Sequence, residues 1–246
     1  STIIEAAIRA GLNWGDCLFQ ASWPGRECPP MPEGGNIRQE WPDQDPQGWG
    51  RVWWHTPIHQ LPQILPNATS SSSNTYSNPY QGYDLFAILR NPYTRAISEF
   101  YYHCDRFPNL CKGIDGPRAA RVLNRNIQKA LKSVHMASHK SPEYYYHEGH
   151  WIPQADFVFD RKGKRLIEHL VHLETIQEEL PSLLQAYNLT HMTLPPQPVK
   201  SRPGYPLMDH RNLTLATIKF IEIVYERDFQ LGGYHMLSPI ISMMMG

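Results

Sequence analysis

Between residues 84 and 89 the chain reads Asp-Leu-Phe-Ala-Ile-Leu, and Arg90-Asn91-Pro92 follows at once. A near-continuous apolar run of this length suits a strand buried on both faces, the kind found in parallel sheets covered by helices. Proline at 92 disfavours helical backbone at the residue before it. The run therefore stops there, and the next segment, Tyr93 to Tyr102, reads as a helix. Residues 117–138 form a second helix, with Leu123, Ile127, Leu131 and Val134 roughly in phase. Asp156 to Asp160 reads as a strand closed by a Lys-Gly turn, and His169 to Leu173 as another short strand. Thr175-x-x-Glu178 resembles a capping box, with Pro181 restarting the helix behind it. Thr214 to Arg227 is an amphipathic helix. Strands alternating with helices predict an α/β fold, an open parallel sheet flanked by helices. At 246 residues the chain reads as a single domain, residues 1–246.

Composition narrows the function classes. The chain has 23 Lys+Arg and 23 Asp+Glu, so its formal charge is zero. No global field attracts nucleic acid, and any anion must be held by a local cluster. No run approaches the roughly 18 apolar residues of a membrane span. Any membrane attachment would come from a segment absent from this chain. Four cysteines, Cys17, Cys28, Cys104 and Cys111, stand beside three Asn-x-Thr sequons at Asn67, Asn188 and Asn212. Together they point to a secretory lumen, with sequential pairs Cys17–Cys28 and Cys104–Cys111 expected. Four reduced cysteines in a cytoplasmic protein are the other reading. The amino-terminal part reads as a helix over 2–10, a long Pro-, Gly- and Trp-rich loop over 14–50, a short strand over 51–55, a helix over 57–65 and a polar surface loop over 67–80.

The chemistry gathers around the first buried strand. Arg90 ends it, at the carboxyl edge where open α/β sheets bind ligands. Ser98 follows eight residues later, inside the next helix. A guanidinium fork and a hydroxyl facing one crevice make a phosphate clamp. An arginine paired with a carboxylate and a solvent-facing serine is the alternative that the residues alone leave open.

The segment Phe86-Ala-Ile-Leu-Arg90-Asn-Pro-Tyr93-Thr-Arg95-Ala-Ile-Ser98 closely resembles the 3′-phosphate-binding motif of sulfotransferases that use 3′-phosphoadenosine 5′-phosphosulfate (PAPS). The membrane-associated carbohydrate and protein sulfotransferases are the most similar group. The resemblance continues in order along the chain: Trp54-His55-Thr56-Pro57, His150-Trp-Ile-Pro-Gln154, Leu173-Glu174, and Tyr225-Glu-Arg-Asp228-Phe-Gln-Leu-Gly-Gly-Tyr234. These blocks cover about residues 50–234. The resemblance implies a P-loop-like sheet, PAPS as sulfuryl donor, its desulfonated form PAP as product, a hydroxyl acceptor on a glycan, no metal, and a Golgi-lumenal enzyme trimmed from a type II membrane protein.

It also implies roles. Arg90 and Ser98 bind the 3′-phosphate. The family's phosphate-cradling loop ends in Ser/Thr-Thr before a helix, and the chain opens Ser1-Thr2-Ile-Ile-Glu. Ser1 and Thr2 thus correspond to the end of the loop that holds the 5′-phosphosulfate at a helix N-terminus. Its lysine and the strand ahead of it are expected before Ser1. His55 is assigned as the base that takes the acceptor's proton, with His59 as runner-up; a structural histidine is the competing reading. Lys200, with Ser201 and Arg202, either touches the 3′-phosphate or forms an exposed basic turn. His150 reads as a packing corner or an acceptor wall, and Glu174 as a strand-end residue ordering a loop. A P-loop kinase-like phosphotransferase and a non-catalytic nucleotide binder are the alternatives.

Overall fold

The computed structural model describes residues 84–107, 116–139, 149–194 and 207–238, with single positions at 57, 59, 111, 113, 141, 144 and 146. In chain order these form strand β1 (Phe86–Leu89), helices α1 (Pro92–Arg106), α2 (Gly116–Met136) and α3 (Ala155–Val158), strand β2 (His169–His172), and helices α4 (Ile176–Ala186), α5 (Leu215–Val224) and α6 (Glu226–Gly232). β1 and β2 pair in parallel, Phe86 opposite His169 and Leu89 opposite His172. Mixed helix and strand around a small open parallel sheet is the expected class.

α1 begins where the sequence dictates. The Asn91 side chain accepts the Tyr93 N–H at 3.0 Å, and Pro92 occupies the first turn, where no N–H is needed. Its apolar positions Tyr93, Ala96, Ile97, Phe100 and Cys104 recur at helical spacing and are all buried. They meet Leu123, Ile127, Leu131 and Val134 of α2 and Ile221, Tyr225 and Phe229 near the carboxyl end in one core. Each of the larger aliphatic and phenylalanine side chains among them contributes about 1.5–3 kcal/mol by leaving water. Asn124 locks the α2–α5 junction: its amide donates to the Asn212 carbonyl at 2.8 Å, and its oxygen accepts the Thr214 N–H at 2.7 Å. A second core joins Val171 of β2 to Ile176, Leu180 and Leu184 of α4. The disulfide Cys104–Cys111 closes the chain just beyond α1 as expected; Cys17 and Cys28 lie outside the described residues.

Three local expectations are corrected. Residues 155–158 form a helical turn, not a strand, because the Asp228 carboxylate caps the Gln154 and Ala155 N–H groups from across the fold. Only Phe159 remains extended, bridging Arg165 in antiparallel fashion, and the Lys-Gly turn does follow, with Gly163 at φ +80°. Thr175 makes no side-chain cap. Its hydroxyl donates to Glu179, and α4 continues through Pro181 with Ile176, Leu180 and Leu184 buried along one face. The expected helix over 214–227 is two helices parted at Tyr225. The Tyr225 hydroxyl is spent on the Trp151 carbonyl at 3.0 Å. Among the described residues no helix is long and apolar enough to cross a membrane.

Candidate active site

The carboxyl end of β1 delivers Arg90, half-buried, to the edge of the sheet. Its Nε donates to the Thr94 hydroxyl at 3.1 Å, and that hydroxyl donates on to the Asn91 carbonyl at 3.0 Å. Thr94 and Ser98 stand four residues apart on α1, so they share one helix face. The Arg90 guanidinium thus meets the Thr94 hydroxyl at the start of α1, and Ser98 lies one turn further along the same helix face. A planar cation with several fixed donors, flanked by hydroxyls, is a donor set that suits a phosphate. Thr94 was not singled out in the sequence, although its position one helical turn before Ser98 was the available signal.

The backbone of Arg90 is gripped from the side. The Gln154 carboxamide accepts the Arg90 N–H at 2.9 Å and donates to the Arg90 carbonyl at 2.8 Å. One side chain thus does what a neighbouring strand would do. The next residue is held as well, since the Asn91 N–H donates to Glu174 at 2.8 Å. The other Glu174 oxygen accepts the Tyr234 hydroxyl at 2.9 Å. Glu174, just past the end of β2, thus hydrogen-bonds the segment that follows β1, as expected of a strand-end residue ordering a loop, and the Tyr234 hydroxyl is pushed well above its ordinary pKa by burial and by its bond to Glu174. The Gly232-Gly233 pair makes room for that contact. A Cβ at Gly232 would lie 2.2 Å from the Tyr234 ring, and Gly233 ends α6 in the left-handed region at φ 62°.

Behind this edge lies a buried polar node. Asp228, with a fully buried carboxylate, accepts N–H groups from Gln154 at 2.8 Å and Ala155 at 2.7 Å. It also faces the Arg95 guanidinium at 3.7 Å. Burial pushes the Asp228 carboxyl up, and Arg95 and the two N–H donors pull it back. Arg95 donates to the His150 and Ile152 carbonyls at 2.9 and 2.6 Å and lies over the Tyr225 ring. A second clamp holds Tyr93, whose hydroxyl donates to buried Glu222 and accepts the Leu237 N–H at 2.8 Å. Glu222 also receives the Leu237 N–H and both the N–H and the hydroxyl of Ser238. Desolvation works against the Glu222 carboxylate, but these donors together hold it below the usual carboxylate range. The blocks scattered along the sequence thus interlock: residues 90–95, 150–155, 174 and 225–234 form one connected frame around the strand end.

Of the other candidate residues, Ser1, Thr2, His55 and Lys200 lie outside the described residues, as do Ser201 and Arg202. His59 is half-buried, and burial lowers its imidazole pKa, opposed by the nearby Asp156 carboxylate. His150 is half-buried, with Nδ1 2.9 Å from Glu99 and its ring stacked on Tyr102 at 4.5 Å. Trp151 is buried in the core. Among the described residues no group of His, Cys, Asp and Glu side chains is arranged to hold a metal ion.

Residues 55–235 match the model of the "Sulfotransferase family", and the chain belongs to that family. It is similar to Carbohydrate sulfotransferase 10 of Xenopus laevis, 23% identical over 190 residues. That alignment takes in 69% of this chain and 52% of the relative, so the chain spans about half the length of the curated protein it matches. No solved structure matches.

Proposed function

We propose that this chain transfers a sulfuryl group from PAPS to a hydroxyl of a carbohydrate, within the Golgi lumen. The observation that carries the reading is Arg90 at the carboxyl end of the parallel strand β1, its guanidinium on the Thr94 hydroxyl and both polar groups of its backbone clamped by Gln154, with Ser98 one turn along the same helix. Bound donor supplies an activated sulfuryl group and leaves as PAP. Arg90 and Ser98 hold its 3′-phosphate and so set the register of the whole nucleotide. Ser1 and Thr2 close around the 5′-phosphosulfate, where negative charge grows on the leaving phosphate, and Lys200 adds a cation at the 3′ end. His55 takes the proton from the acceptor oxygen as that oxygen bonds to sulfur. The printed name of the Xenopus relative supports a glycan acceptor, and the neutral chain is suited to recognising its anionic donor by directed groups rather than by a basic field. The test is incubation of the full chain with labelled PAPS and a panel of glycans and peptides, with and without EDTA. EDTA-insensitive label on a glycan is the expected result. No transfer to any acceptor, or transfer abolished by EDTA, would overturn it.

A further inference from the structure

We infer that Gln154 is a positioning residue that sets affinity for the 3′-phosphate, acting on Arg90 through its backbone and being itself set by Asp228. The inference rests on the proposed function. β1 ends at Leu89, so Arg90 lies one residue beyond the ladder with β2, whose last paired residue is His172. A side chain beyond the ladder swings with its backbone unless other groups hold that backbone. Gln154 does so, because a carboxamide carries one acceptor and one donor, matching the N–H and the C=O of a single residue. No other side chain of this length offers that pairing: Glu has no donor at neutral pH, and Met has neither.

Gln154 can do this only if its own backbone is fixed. Its N–H is held by Asp228 Oδ2, and the next N–H, of Ala155, by Oδ1. Asp228 is in turn oriented by Arg95, which belongs to the same helix as Thr94 and Ser98. The linkage thus closes into a ring, from Arg90 to Gln154 to Asp228 to Arg95 and back along α1. Within the proposed site, Arg90 and Ser98 touch ligand, whereas Gln154 and Asp228 act through them.

The experiment measures binding of PAP and of 5′-AMP, which lacks the 3′-phosphate, to the full chain by calorimetry. Gln154→Met is expected to weaken PAP about tenfold, about 1.4 kcal/mol, while leaving 5′-AMP within twofold. In an Arg90→Ala background the same substitution should cost nothing further, as expected for residues acting on one contact. Gln154→Glu keeps the size and the acceptor while placing an oxygen against the Arg90 carbonyl. It should reproduce the loss if Gln154→Met fails to fold. Equal loss of PAP and 5′-AMP, or an unchanged PAP affinity, would overturn the inference while leaving the sulfotransferase reading intact. Failure of the unaltered chain to prefer PAP over 5′-AMP would overturn both.

Discussion

Replacing Asp228 with alanine tests the interlocked frame at its most buried point. The carboxylate is fully shielded from water and accepts two backbone N–H groups at 2.8 and 2.7 Å. Truncation strands both donors and leaves Arg95, itself only 13% exposed, without its carboxylate. Hydrogen bonds to a charged acceptor contribute about 1.5–3 kcal/mol each, and breaking a buried pair by removing one partner costs about 3–5 kcal/mol in total. These overlap rather than add, so about 4 kcal/mol is the working figure. For a chain of this size each kcal/mol moves the melting temperature by about 2–4 °C, giving a drop of about 8–16 °C by calorimetry or circular dichroism. Asp228→Asn keeps one acceptor but turns an amide N–H toward the other donor, so it should recover only part of the loss. Exposed Glu226 on the same helix is the control, and Glu226→Gln should stay within about 0.5 kcal/mol of the starting protein. An Asp228→Ala variant melting within a degree or two of the parent would refute the claim that this carboxylate organises the frame.

The remaining expectations concern other joints of the same structure. Gly232→Ala should drive the Tyr234 ring off Glu174, because the new methyl would occupy ring space; loss of the Glu174→Ala effect in that background would show the coupling, and two independent effects would exclude it. Glu222 is held below the ordinary carboxylate value, so the stability it provides is present above the unfolded carboxyl pKa of about 4.3 and is lost as pH falls through its folded value. Glu222→Gln should therefore be less stable at neutral pH and show a flatter acid limb in urea titrations below about pH 4; an unchanged acid limb would count against it. Breaking Cys104–Cys111, seven residues apart in sequence, releases a short loop and should cost about 2–2.5 kcal/mol by the chain-entropy relation. A linked peptide under non-reducing digestion is the direct check, and two free thiols would refute the pairing.

Much of the frame was visible in the residues. The apolar run before Arg90 marked β1, and Asn91-Pro92 marked the start of α1, because capping and proline geometry are local matters. The sequence misled where a distant group decided local structure. Residues 156–160 carry the short aromatic and β-branched run of a strand, yet Asp228, more than seventy positions from Ala155, caps the segment into a helical turn. Thr175 and Glu178 have the spacing of a capping box, but the Thr175 hydroxyl finds Glu179 instead. Gln154 and Asp228 were legible as members of family blocks and not as partners, since nothing in their spacing tells that one holds the other. The sequence reads Arg90 and Ser98 as a pair, and the hydroxyl that meets the Arg90 guanidinium is that of Thr94, one helical turn before Ser98.

The central claim is that Arg90 and Ser98 anchor the 3′-phosphate of a sulfuryl donor. The most direct measurement is sulfuryl transfer from labelled PAPS by the full chain, alone and as Arg90→Ala and Ser98→Ala, alongside PAP affinity for each. The account predicts transfer by the unaltered chain, with both variants folded, about tenfold or more weaker for PAP, and raised in KM for the donor rather than for the glycan. Transfer that proceeds in Arg90→Ala with unchanged donor KM, or an unaltered chain that neither binds PAP nor sulfates any acceptor, would contradict it.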